Sequence, residues 1–219
     1  MIGSLMYLTN TRSNIYFAVN TLSQFMVEPR RVHWIATKHI LRYLKGTMAF
    51  GLRYTSDHEV SLGGYTDVDW AGSVTDRKST SGCCFSLGSA VISWLSRKQS
   101  SVALSTAEAE YMATCLASGE AVWLRKMISG LFDQEIDVTC IWCDNQSCIK
   151  MTENLVFHDR SKHIGIKYHY IRDMVEKGAM KLQYVAREEE TADIFTKHLA
   201  RSKFEHFRGK LGVVPRKRE

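Results

Sequence analysis

The residues of this sequence best suited to chemistry are four or more carboxylates in apolar or small-residue settings. Asp67 lies late in the strand-like stretch GYTDVDWAG, where a buried carboxylate is costly unless a cation meets it. Asp69, two residues on, shares its face on an ideal strand, so periodicity leaves the choice between them open. Glu108 and Glu110 stand near the start of a helical pattern, STAEAEYMA, roughly 200° apart around the axis, so only one can face a sheet. Ala103, Thr106, Glu110, Ala113 and Ala117 form a small-residue face that delivers Glu110; Glu108 is sufficiently explained as a first-turn partner of the helix dipole. Asp144 follows the strand-like VTCIWC, at the strand end where open sheets place their sites, and would also serve as an ordinary N-cap. Asp193 falls in the first turn of a short helix after KLQYVA, with the same helix-dipole alternative. Singly these acids are unremarked. Together they can cage two divalent ions about 3.5–4 Å apart, and oxygen-only ligands favour Mg²⁺ or Mn²⁺ over zinc.

The elements that must position them change character along the chain. Residues 1–50 read as helices. Ile15 to Phe25 has helical spacing with Asn14 as its N-cap, and a second helix over about 31–45 carries Trp34, Ile35, Ile40, Leu41 and Leu44 as its apolar stripe. This segment has no strand of its own to pack on. From residue 60 the period shortens to that of strands. VSLGGYTDVDW, CCFSLGS and AVISWLS are three strands, the last two joined by a hairpin at Gly88-Ser89. A long helix follows from Ser105 to Leu131, then the strand VTCIWCD, the helix NQSCIKMTEN, a helix closed by Gly178, the strand KLQYVA and the helix TADIFTKHL. The first three strands are antiparallel and those separated by helices parallel, so the expectation is an α/β fold with a mixed sheet and helices on its faces. The organisation read is a helical segment over 1–50, a main domain over 60–200, and a basic helix and tail over 201–219.

The 219 residues carry a net charge of +6, unevenly spread. Residues 1–60 hold 7 Lys/Arg against 3 acids, residues 201–219 hold 7 against 2, and the middle holds 15 against 18. Basic flanks around a slightly acidic centre suit a polyanion whose reacting point meets carboxylates and metal. No stretch is apolar enough to span a membrane, and MIGSLMYLTNTRSN lacks a basic leader, so the expected location is cytoplasmic or nuclear rather than secreted. Six cysteines in apolar surroundings read as reduced, buried thiols. Cys140 and Cys143 with His158 and His163 fit a loose zinc pattern, but three residues apart on a strand the two thiols face opposite ways, so neither zinc nor a redox dithiol is expected. His158, His163 and His169, with Arg160, Lys162 and Lys167, offer a basic surface to phosphates, or simply a solvated helix face. Trp94 with Arg97 and Lys98 is weighed the same way, as a stacking and charge surface or as core.

In order, GYTDVDWAG, DRKSTSG, SWLSRKQSSVALSTAEAEYMA, CDNQS, FHDRSKHIGIKYHYIR and ADIFTK resemble the ribonuclease H domain of copia-type LTR retrotransposon Pol polyproteins. The preceding YLTNTRSNIYFAVNTLSQFM and HWIATKHILRYLKGT are similar to the end of the adjoining reverse transcriptase. The resemblance implies a five-stranded mixed sheet in the order 3-2-1-4-5, counted within that domain. It also implies hydrolysis of the RNA strand of an RNA–DNA hybrid with two Mg²⁺ ions, or Mn²⁺. It places the metal-binding and catalytic acids on Asp67, Glu110, Asp144 and Asp193, and hybrid-facing positions on Ser105, Thr106 and Gln146, with Lys98 added as a substrate contact. The remaining polyprotein, with its reverse transcriptase and integrase, is an implied partner, and polymerase activity is not expected because the polymerase active-site segment is absent from this sequence. Many cellular ribonucleases H carry a mobile His before the last Asp; here the loop reads AREEETAD, and either Glu188 to Glu190 substitute for it or product release is slower. FTKHL replaces the usual FTKPL, and Gly165 stands where Asp is usual. The competing readings are an inactive remnant that only binds nucleic acid, and a related-fold nuclease acting on DNA.

Overall fold

The computed structural model describes residues 1–56, 61–133, 135–153 and 165–216. Its elements are helix α1 (Ile2–Leu8), a 3-10 turn (Ser13–Ile15), α2 (Tyr16–Ser23), α3 (Arg31–Gly46), strand β1 (Phe50–Leu52), β2 (Leu62–Asp69), β3 (Thr80–Leu87), β4 (Ala90–Lys98), α4 (Thr106–Phe132), β5 (Thr139–Cys143), α5 (Gln146–Glu153), α6 (Gly165–Glu176), β6 (Met180–Tyr184), a second 3-10 turn (Thr191–Phe195), α7 (Arg201–Lys210) and β7 (Val213–Pro215).

Five strands make one mixed sheet in the order β4-β3-β2-β5-β6. The β2–β3 and β3–β4 pairs are antiparallel, and β2–β5 and β5–β6 are parallel. Counted from β2, this is the order 3-2-1-4-5 that the resemblance implies. Short turns, with Gly88 at φ 64 in the β3–β4 hairpin, can reverse a strand; the connections through α4 and α6 carry the chain back to lie parallel.

Alternation along the strands sorts side chains to two faces. Cys83, Phe85, Ile141 and Cys143 pack beneath α4 with Tyr111, Ala117, Ala121 and Leu124, and Ile171 of α6 joins them. The alanines bring α4 close: Ala109, Ala113, Ala117 and Ala121 are all buried. On the other face Cys84, Tyr65 and Trp94 meet Ile194, Phe195, Phe207, Leu211 and Val213.

The N-terminal helices differ from the sequence expectation in three ways. They do find a strand: the Asn20 amide donates to the Ser96 carbonyl of β4 at 2.9 Å, and the Trp94 indole donates to the Thr9 carbonyl at 3.1 Å. Asn14 does not cap α2; it lies in the 3-10 turn and donates to the Tyr43 hydroxyl at 2.7 Å. The expected apolar stripe of α3 is only half correct. Ile40 is buried, but Trp34, Ile35 and Leu41 are 50%, 45% and 40% exposed. The basic tail adds a feature that periodicity missed, since β7 pairs antiparallel with β1 in the register Phe50↔Pro215 and Leu52↔Val213. Three-residue strands are too short to show a period.

Candidate metal centre

Asp67 is the sixth residue of β2, opposite Gly82 of β3 in the register. It is buried, and the Thr196 hydroxyl donates to its Oδ2. A Cβ on Gly82 would stand 2.6 Å from Thr196 Cγ2 and 2.9 Å from Phe195 Cβ. The bare glycine therefore lets the turn that carries Asp193 press onto the sheet beside Asp67.

Glu110 comes from the buried face of α4 and is 5% exposed, with no hydrogen-bond partner for Oε2. The cap that starts this helix is Ser105, whose hydroxyl accepts from the Glu108 amide, while the Glu108 carboxylate accepts from the Leu104 amide at 2.9 Å. Glu108 is thus half of a reciprocal cap, a closer role than the helix dipole, and it faces away from the cluster.

Asp144 follows β5 directly. It does not cap α5. The cap is Asn145, whose Oδ1 accepts from the Cys148 amide at 3.0 Å, so the Asp144 carboxylate is left for another partner. Asp67, Glu110 and Asp144 each offer an oxygen within 4.8 Å of the others. The donor set is oxygen only, and Glu110 brings a buried carboxylate oxygen without a hydrogen bond, so these residues fit a hard divalent cation.

Asp193 is buried next to this group but differently held. Lys197 Nζ lies 2.7 Å from Asp193 Oδ1 and 3.3 Å from Asp67 Oδ2, bridging the two acids. Lys203 Nζ lies 2.6 Å from Asp193 Oδ2. Of the four acids, three converge, and the fourth adjoins them across Lys197, which also touches Asp67.

The electrostatics follow. Burial pushes the Asp67 carboxyl up to about 6, with Lys197 opposing and Asp193 and Asp144 adding repulsion. Burial also drives Glu110 well above the usual carboxylate range, and the charges of Asp67 and Asp144 push the same way. For Lys197, burial works against the charge, but Asp67 and Asp193 outweigh it and raise its pKa. Asp69 stays outside the cluster, its carboxylate lying against Gly72.

Ser105 and Thr106 at the start of α4, and Gln146 at the start of α5, are exposed. Lys98 is held by Asp76 at 3.0 Å. Cys143 is buried and Cys140 is on the other face, bonded to Gln183 Oε1 at 2.9 Å, as the strand period required. His158, Arg160, Lys162 and His163 lie outside the described residues.

Sequence reasoning missed several participants. Glu190 is fully buried; its Oε1 accepts from the Ala192 amide at 3.0 Å, which caps the turn carrying Asp193. A run of three glutamates reads as a solvated loop, so nothing marked the third as internal. Of the proposed stand-ins for the mobile His, Glu190 is therefore sealed and Glu189 is paired with Lys210; Glu188 is exposed. Lys197 was findable, because it stands four residues after Asp193. Lys203, ten residues on, carries no such signal.

No family model matches the chain. Among curated proteins, it is 41% identical over 214 residues to a retrovirus-related Pol polyprotein from transposon RE2 of Arabidopsis thaliana, covering 98% of this chain and 15% of that protein. It is 40% identical over 215 residues to the Pol polyprotein from transposon TNT 1-94 of Nicotiana tabacum, covering 97% and 16%. A secreted RxLR effector protein 161 of Plasmopara viticola is 49% identical over 124 residues, 56% of this chain and 87% of that protein. Among solved structures, LC11-RNase H1 from compost matches at a TM-score of 0.48 and 16% identity, over 63% of this chain and 94% of that one. The five-stranded mixed sheet with its flanking helices defines a ribonuclease H-like domain. The chain belongs to the family of copia-type retrotransposon Pol polyproteins, and it spans about 15% of the length of the Pol relatives it matches.

Proposed function

We propose that the chain is a metal-dependent endonuclease that hydrolyses the RNA strand of RNA–DNA hybrids within a retrotransposon polyprotein. The observation that carries this is the convergence of Asp67, Glu110 and Asp144, three oxygen donors within 4.8 Å, at the centre of this sheet. Asp67, Glu110 and Asp144 would hold one Mg²⁺ or Mn²⁺. Asp67 and Asp193 would hold a second, in exchange for the Lys197 ammonium that now bridges them. Such ions, when bound, activate the attacking water and stabilise the leaving 3′ oxygen, giving a 5′ phosphate and a 3′ hydroxyl.

The chain's own groups orient this chemistry. Thr196 holds one oxygen of Asp67, and the alanine face of α4 fixes the depth of Glu110. Ser105, Thr106 and Gln146 stand at two helix starts, where free backbone N–H groups suit phosphate oxygens. A hybrid is told from duplex DNA by its 2′-hydroxyls and groove shape. The test is cleavage of a labelled hybrid with Mg²⁺, beside duplex DNA and duplex RNA. Cleavage of the RNA strand of the hybrid alone is expected. Cleavage of duplex DNA would favour a DNA-directed nuclease, and binding without cutting in either Mg²⁺ or Mn²⁺ would favour the inactive remnant.

A further inference from the structure

We propose that the outer face of α3 is a binding track for an unpaired nucleic-acid strand. The helix contains no acid at all, and over residues 1–56 the one carboxylate side chain is Glu28, which pairs with Arg30. Arg31, Lys38, Arg42 and Lys45 are all exposed, and none has an ion-pair partner among the described residues. At 100° per residue these four fall within a sector of roughly 60°, spread over about 21 Å of helix. Four like charges in one row repel each other, and nothing in the packing of α3 requires them. The inward face is made by Thr37 and Ile40, with Ala36, Tyr43 and Leu44 beside them.

The row has an aromatic edge. Trp34 is 50% exposed, and Lys38 Nζ lies 5.2 Å from its ring centroid, which ties the indole to the cations. An exposed ring beside a line of cations is what a single strand needs: phosphates meet the charges and a base stacks on the ring. In a duplex the base faces are already covered, so Trp34 would add nothing there. An anionic lipid surface fits less well, because it needs one continuous apolar face, and here the exposed Trp34 and Leu41 lie on one side of the cationic sector and Ile35 on the other.

The inference stands on α3 and not on cleavage, so binding is measured in EDTA. The probes are a single strand of about 12 nucleotides and a blunt hybrid of the same length. Trp34→Ala is expected to weaken single-strand binding about tenfold, with an unchanged salt dependence and unchanged affinity for blunt hybrid. Trp34→Phe should restore most of it. Lys38→Ala with Arg42→Ala should reduce the slope of log affinity against log salt by about 1.4, two contacts at about 0.7 each. All these side chains are exposed, and matching thermal unfolding of the variants checks that the fold is kept. Equal losses on both probes, or an unchanged slope in the double variant, would overturn the track. So would a dimer in sedimentation that the variants dissolve, or binding to phosphatidylserine vesicles that they abolish while single-strand binding stays.

Discussion

Two corners of one acidic site, joined by Lys197, are held by opposite means. At Asp67, Glu110 and Asp144 three carboxylates crowd together, and Glu110 has an oxygen with no hydrogen bond. At Asp193, two lysines within 2.7 Å already supply the positive charge. Buried like charges without a partner are costly and resist ionisation, and the Glu110 carboxyl is accordingly driven well up. The first corner is capable of holding a divalent cation from solution. The second carries its own, and Lys197 links the two.

The sharpest way to break this contrast is Asp144→Asn. Cleavage of hybrid should fall by more than about 100-fold, since even outer partners of a metal site cost 10–100-fold. Hybrid binding in EDTA should stay, because Asn145 and not Asp144 caps α5, so the fold is untouched. Retained cleavage would remove Asp144 from the metal centre.

Glu110→Gln tests the same corner through stability. A carboxyl whose folded pKa is raised stays protonated longer in the folded than in the unfolded chain. The metal-free protein therefore loses stability as pH rises from the ordinary value of 4.5 toward the folded one. Gln removes that loss, so metal-free Glu110→Gln should melt higher than the parent at pH 7 while failing to cleave. A lower melting temperature would show that the charge is already compensated.

The pH dependence of metal binding comes next. Asp67 must be ionised to hold a cation, so Mn²⁺ affinity should climb as pH rises through about 6. Lys197→Met removes the ammonium that lowers the Asp67 pKa, and the midpoint should move to higher pH. A midpoint that moves down, followed by calorimetry across pH, would mean that Lys197 does not act on Asp67.

Gly82→Ala is a smaller, structural probe of how the corners are joined. Its Cβ would be 2.6 Å from Thr196 and 2.9 Å from Phe195, so the turn must shift. A loss of about 1–3 kcal/mol in denaturant unfolding is expected. The smallest effects belong to Asp69→Asn and Glu108→Gln, which should keep cleavage within about twofold. Damage equal to that of Asp144→Asn would mean that the wrong acids have been chosen.

Much of this was legible in the residues, for reasons that differ by element. The strands showed themselves by alternation, and the alanine face of α4 separated Glu110 from Glu108 before any coordinates. The choice of Asp67 over Asp69 needed the family resemblance, because both lie on one face of β2. Asp144 looked like a cap, since adjacent Asp and Asn are both good caps and only geometry shows which amide is bonded. α3 misled because Trp34, Ile35 and Leu41 are apolar, and a helical stripe does not say which side is buried. Glu190 was hidden because its burial depends on a turn folded onto a distant glycine.

The ribbon of β1 and β7 has a consequence for biosynthesis. Leu52 leaves the ribosome about 160 residues ahead of its partner Val213, a wait of about 8–32 s at ordinary elongation rates. During that interval all four acids and every strand of the main sheet have been made. Phe195 lacks Phe207, Leu211 and Val213 until they too are made, although they share one apolar cluster with it. A nascent chain stopped short of Val213 would thus hold the complete set of acids and leave one face of the sheet uncovered. Translation of the stretch from Phe207 to Val213, which adds nothing to the acid cluster, is the step that covers this face of the sheet.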